Sequence, residues 1–226
     1  MPDKKFLPWI FLTGLLMIVL NNIAAQVGMK TISAGMAAVL NYTAPLWTAI
    51  LAHFTLNERL TRLKCFGIFL AILGLYVLMG LQGVGDLHAA FIIIVGAMIM
   101  GVSNIIVKLK LSKSNMVQLT TWQMVFGAIV LVIYTSLVPQ GEINWCVPAV
   151  LCVIYNGALA SALAFFLWNY VLTHIEASSA SIATLVAPIV GVLGGVFILG
   201  EPFTVYIVVG IILIFAGILI VVRKRK

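Results

Sequence analysis

Charge is scarce in this sequence. Only 8% of its 226 residues are Asp, Glu, Lys or Arg. None of these, nor any His, stands at mid-depth in an apolar run. A buried carboxylate relay for protons therefore has no visible basis, and neither does a fixed counter-charge for a strongly charged substrate. Three cysteines (Cys65, Cys146 and Cys152) form no spaced pair, so neither disulfides nor a metal site is expected. No nucleophile–base pair, zinc-ligand spacing or phosphate loop is present, so an enzyme has nothing to stand on and no cofactor is expected. Period-two alternation of apolar and polar residues is also missing, which argues against a membrane β-barrel.

What fills the sequence instead is apolar length. Hydrophobic residues make up 63% of the chain, more than a soluble domain of this size can hide. Apolar runs long enough to span a bilayer recur from end to end, which predicts an all-α membrane protein with eight transmembrane helices. The expected spans are 6–27, 34–56, 64–81, 88–107, 116–138, 147–171, 179–199 and 203–222, joined by short connections. The net charge of +7 sits at span ends rather than in a patch, which argues against nucleic acid as a partner. The opening MPDKK precedes an apolar run in the manner of a signal peptide, but that run belongs to an internal repeat and is expected to stay.

Orientation follows from the basic residues. With eight spans, one side collects Lys4, Lys5, Arg59, Arg62, Lys64, Lys108, Lys110, Lys113 and the RKRK tail at 223–226. The other side has only Lys30. The positive-inside rule then puts both termini in the cytoplasm, with the protein in the cytoplasmic (inner) membrane. The basic tail also suits an anionic inner leaflet. Lys30 would either snorkel to the outer headgroups or attract an anionic substrate.

The stretch Ala37–Gly74 occurs twice, recurring without a gap as Ala180–Gly217. Ala44-Pro45 falls on Ala187-Pro188, Glu58 on Glu201, Gly67 on Gly210 and Gly74 on Gly217. A Pro, a Glu and two Gly in one register mark a real repeat where Leu and Ile coincidences would not. The first copy starts in a span running outward to inward and the second in a span running inward to outward. The copies are therefore inverted, an architecture associated with secondary transporters. Residues 1–81 form a partial first repeat of three helices and 88–226 a second repeat of five. Spans four and five have no counterpart, so by symmetry two helices, about 55–60 residues, would precede Met1.

Pro45 and Pro188 interrupt the second and seventh spans and cannot donate to the carbonyls of Asn41 and Thr184. In hydrocarbon a freed carbonyl must be satisfied somehow. A hinge and substrate site at the midplane is one reading; a packing kink satisfied by a neighbouring hydroxyl is the other. Asn22 and Gln26 lie one turn apart on the first span, Thr13 aligns with Asn156 of the sixth, and Asn169 closes the sixth. Such groups face protein or a watery cavity rather than lipid. The candidate substrate-binding residues are thus Asn22, Gln26, Asn41, Thr184, Asn156 and Asn169, and simple interhelical hydrogen bonding is their alternative. Trp168 and Tyr170 suit an aromatic belt. Trp47, Trp122, Gln123 and Tyr155 are weaker cavity candidates.

Glu58 and Glu201 precede the third and eighth spans, where a carboxylate accepts from free N–H groups and meets the positive helix end. They are read as helix caps, in preference to coupling-ion ligands. Gly67 and Gly74, like Gly210 and Gly217, are one face apart by seven and should let the third and eighth spans pack closely.

Taken together, AAVLNYTAPLWTAILAHFTLNER with Gly67 and Gly74, and ASIATLVAPIVGVLGGVFILGEP with Gly210 and Gly217, resemble the EamA-type domain of the drug/metabolite transporter superfamily. The resemblance covers essentially the whole chain. It implies ten helices in two inverted five-helix units, of which this chain holds helices three to ten, that is 3 + 5 of a 5 + 5 inverted-repeat fold. It also implies export or exchange of amino acids, metabolites or drugs. The expected activity is a secondary transporter of a small metabolite, amino acid or drug-like solute, working by alternating access. Expected partners are that solute and the lipid bilayer. The alternative is a non-transporting or partner-dependent subunit, completed by a homodimer or by a partner chain supplying two helices.

Overall fold

A computed structural model of the chain describes residues 2–32, 34–56, 58, 61–78, 86–138, 145–199 and 204–222. Among these the structure is helical throughout, with no strand. Helix α1 runs Leu7–Gly28. Helices α2 (Ala34–Asn41) and α3 (Ala44–Thr55) are separated by a two-residue break. Helix α4 is Arg62–Leu78, α5 is Leu87–Leu111, α6 is Met116–Leu137 and α7 is Val147–His174. A second break divides α8 (Ala177–Ala183) from α9 (Val186–Leu199), and α10 is Val205–Val222.

Four of these helices, α1, α5, α6 and α7, are long and apolar enough to cross a membrane by themselves. The shortest have 22 residues, or about 33 Å, against a hydrocarbon core of about 30 Å. The expected second and seventh spans are each two shorter helices in series.

The breaks follow from proline chemistry. Pro45 is the second residue of α3 and Pro188 the third of α9, positions where a missing N–H leaves no bond unmade. Upstream, the chain tightens before it turns. The Thr43 N–H and hydroxyl both donate to the Leu40 carbonyl, at 3.1 and 2.7 Å. In the second copy the Thr184 N–H and hydroxyl both donate to the Ser181 carbonyl, at 3.2 and 2.6 Å. Local hydroxyl bonds of this kind stand in for the helix bonds that stop.

Glycine sets the closest helix pair. α4 and α10 lie antiparallel, Gly67 beside Gly217 and Gly74 beside Gly210. A Cβ on Gly67 would stand 2.9 Å from the Gly217 carbonyl oxygen, and one on Gly74 would stand 2.9 Å from that of Gly210. Backbones this close gain dispersion contacts that lipid cannot match. Asp86 caps α5, accepting from the His88 and Ala89 N–H groups at 2.9 and 3.3 Å. The Thr31 hydroxyl donates to the other Asp86 oxygen at 2.9 Å and, with those N–H groups, holds this carboxyl below the usual range.

Candidate functional site

Both helix breaks border one cavity of about 510 Å³. That volume falls within the range of small-molecule sites, roughly 300–1,000 Å³. Asn41, Tyr42 and Pro45 reach it from the first break, and Ser181 and Thr184 from the second. α1 adds Asn21 and Asn22, α5 adds Asn104, and α7 adds Phe165 and Trp168. Among the described residues, no charged one lines it.

Its wall is braced by polar contacts. α3 and α5 meet closely at Gly101, where a Cβ would stand 3.1 Å from the Thr48 nitrogen. The Asn104 amide N–H thereby reaches the Thr48 hydroxyl at 3.3 Å, and the Asn104 oxygen accepts from Trp168 Nε1 at 3.1 Å. An indole N–H can only donate, so the orientation of the Asn104 amide is set by its neighbours.

Of the six residues expected to bind substrate, Asn22, Asn41 and Thr184 line this cavity, as does the hinge candidate Pro45. Gln26 is exposed and lies outside it. Asn156 is exposed on α7, where a wide π-helical stretch, Asn156–Leu163, begins. Pro188 is half-buried and does not line it. Sequence reasoning passed over Asn21, Asn104 and Ser181. Ser181 stands one turn before Thr184 on the same helix face, a spacing that could have marked it. Trp168, read from sequence as a belt residue, instead donates into the cavity wall.

Asn169 is fully buried elsewhere, in a ladder that ties α1, α6 and α7. Its amide N–H groups donate to the Thr120 hydroxyl at 3.0 Å and to Gln123 Oε1 at 2.9 Å. Gln123 Nε2 donates to the Thr13 hydroxyl at 2.7 Å, which donates onward to the Trp9 carbonyl at 2.8 Å. Gln123→Leu would strand two of these groups away from water. The expected loss is about 1–2 kcal/mol, read as a lower thermal midpoint in detergent. An unchanged midpoint would mean the ladder contributes nothing.

At the lysine-rich end of the bundle, Glu58 is a cap, but for a helix other than the one that follows it. Its carboxylate accepts from the Ala177 and Ser178 N–H groups at 2.8 and 3.2 Å and from the Ser178 hydroxyl at 2.8 Å. The helix served is therefore α8, not α4. The reason is local: Glu176, which precedes α8, makes no side-chain cap and instead pairs with Lys64 at 2.7 Å. Lys108 stands 3.3 Å from Glu58 and also donates to the Ile175 carbonyl. Burial pushes the Glu58 pKa up. The Ala177 N–H, the Ser178 hydroxyl and N–H, and the Lys108 ammonium outweigh it and hold the carboxyl below its usual range. Glu201 lies outside the described residues.

An apolar helical bundle with a cavity of mixed polar and apolar lining between two broken helices has the build of a membrane transporter. The model of the EamA-like transporter family matches residues 1–80 and 87–223, and the chain belongs to that family. It is similar to an uncharacterized transporter of Archaeoglobus fulgidus, 32% identical over 98% of this chain and 79% of the relative. It also resembles the uncharacterized transporter YoaV of Bacillus subtilis, 31% identical over 84% of this chain and 67% of the relative. A probable terminal-alkyne amino-acid exporter of Streptantibioticus cattleyicolor is 26% identical over 99% of this chain and 75% of the relative. Among solved structures, one crystal structure of a protein shares the fold with a TM-score of 0.83 at 15% identity, over 94% of this chain and 75% of that one. The chain is thus a multi-pass membrane protein of a transporter family.

Proposed function

We propose that the chain is a secondary carrier of a small metabolite, amino acid or drug-like solute, working by alternating access in the cytoplasmic membrane with both termini inside. The observation that carries this reading is the meeting of two broken helices, one from each repeat copy, at one cavity that both line with polar side chains. Discontinuous helices of inverted repeats are where such carriers bind their solutes. Closure at the lysine-rich end supports it further. There Glu58 holds the start of α8, and Lys64 and Lys108 hold Glu176 and the Ile175 carbonyl just before it. Exposure of the cavity to that side requires these ties to part.

The test is solute flux in liposomes containing the purified chain, against a broad metabolite panel. Flux of at least one solute is expected, and Asn41→Leu should reduce it by about tenfold or more, given the weight of one polar contact to a bound group. Pro188→Ala, which restores a backbone donor at the second break, should slow flux with little change in solute affinity. No flux of any solute would end the carrier reading for this chain as it stands.

One observation favours a second reading, a subunit completed by a partner. From Val150 to Ala160 every residue of α7 is exposed, whereas half of the corresponding window of α5 is buried. Lipid would accept this apolar face, and so would two helices of another chain. Flux that appears only when a chain supplying two such helices is co-reconstituted would favour the subunit.

A further inference from the structure

We infer that α7 carries an unfilled seat for a two-helix membrane partner. One partner helix runs parallel to α7, crosses it closely at Gly157 and brings a hydrogen-bonding side chain to Asn156; the second lies beside it. The inference rests on the reading of the chain as a subunit completed by a partner. It adds which residues receive that partner and what chemistry the partner must present.

The other repeat copy shows such a seat filled. The register that lays Ala37 on Ala180 also lays α1 on α7, with Thr13 on Asn156 and Gly14 on Gly157. The likeness reaches the backbone: the π-helical stretches Leu15–Leu20 and Asn156–Leu163 end at the same repeat position. On α1 this face is covered. α6 crosses it at Gly14, where a Cβ would stand 2.9 Å from the Gln123 carbonyl oxygen. Gln123 donates to Thr13 there, Phe126 meets Phe11 edge-on, and Gly127 makes room for Ile18. These contacts advance together along both helices, so α6 runs parallel to α1. α5 lies alongside, with Gly96 against Ala24 and Ile93 against Gly28.

On α7 the same positions are bare. Ile10 is fully buried, whereas its counterpart Val153 is 58% exposed. Thr13 is fully buried, whereas Asn156 is exposed. A Cβ on Gly14 would strike backbone, whereas one on Gly157 meets nothing within 4 Å. Leu167 and Val171, the counterparts of Ala24 and Gly28, are exposed as well. The places of both α6 and α5 are therefore empty on this side of the repeat. Lipid would cover the aliphatic residues, but it cannot satisfy the Asn156 amide. A helix packed closely at glycine can, as Gln123 does for Thr13. The seat also adjoins the cavity. Met17 and Asn21 line the chamber from α1, and their counterparts Ala160 and Ala164 line it from α7.

The probe is a hairpin of residues 87–137 of this chain, which holds the equivalent place on α1. It is co-expressed as a separate polypeptide with the tagged full chain, and its capture is measured after purification in detergent. Capture near one hairpin per full chain is expected. Gly157→Leu in the full chain should cut it about tenfold or more, and Asn156→Leu severalfold. Gly194→Leu is the control, because a Cβ there also meets nothing within 4 Å, and it should leave capture unchanged. The thermal midpoint of Gly157→Leu without the hairpin should match the wild type. No capture, the result expected of a face made for lipid, would overturn the seat, and so would capture indifferent to Gly157→Leu. Flux that needs the hairpin but survives Gly157→Leu would overturn the seat and leave the subunit reading standing. Capture that obeys both variants but brings no flux would fail the subunit reading while the seat stands.

Discussion

Glu58→Ala is expected to destabilise the protein by about 2–4 kcal/mol, more than any other single side-chain truncation outside the apolar core. The carboxylate is only 9% exposed and its partner Lys108 only 19%. Removal deprives α8 of its cap and leaves a largely buried ammonium without its counter-charge. Lys108→Ala should cost less, because Glu58 keeps the Ala177 and Ser178 donors. A Glu58→Ala loss below about 0.5 kcal/mol, typical of an uninvolved surface residue, would show that the cap does not hold the fold.

The same carboxylate carries a pH signature. Its folded pKa is depressed, so the folded state binds fewer protons than the unfolded state in the acid range. The stabilisation is complete above the unfolded value of about 4.3 and is lost as pH falls through the lower folded value. The stability gap between the wild type and Glu58→Gln should therefore close as pH drops below about 4.3. A gap that stays constant in that range would separate the stability of this end from the charge on Glu58.

Gly217→Val is expected to destabilise by about 3 kcal/mol, or to abolish assembly. A Cβ there would press on the Gly67 carbonyl oxygen and would stand 2.7 Å from both the Ala71 Cβ and the Ala71 backbone nitrogen. Backbone cannot swing aside as a side chain can, so α4 and α10 must part and lose contact along their length. Gly157→Ala is the control, because a Cβ there meets nothing within 4 Å. It should change stability by about 1 kcal/mol at most. Equal effects of the two substitutions, measured as thermal midpoints in detergent, would contradict the packing described.

The extents of the helices were legible because apolar length is a one-dimensional property. Expected span ends agree with helix ends to within a few residues wherever both are described, as at 116–138 against Met116–Leu137. The two breaks were legible because proline acts on its own backbone, whatever surrounds it. Three-dimensional pairing was not. Asn22 and Gln26 share a helix face, yet only Asn22 lines the cavity while Gln26 is exposed. Asn104 was hidden because α5 has no partner in the repeat, so internal symmetry gave no reason to single it out. Asn169 looked like a site residue and is held in a ladder with Gln123 and Thr120; residue type and depth are the same for either role. Glu58 was recognisable as a cap, but its target was invisible, because an acceptor near a helix start says nothing of which helix start it faces.

The separation between Glu58 and Ala177 also sets an order in time. They are 119 positions apart, so at a synthesis rate of about 5–20 residues per second the carboxylate emerges about 6–24 s before the amides it will cap. Over that interval it sits in a connecting segment, in water and ionised, while α4 to α7 are made and inserted. The contact that closes the lysine-rich end can form only after most of the bundle is in place. Translation that pauses between α6 and α7 would leave a half-built bundle with its own carboxylate unengaged, a state that quality-control proteases could tell from the finished protein.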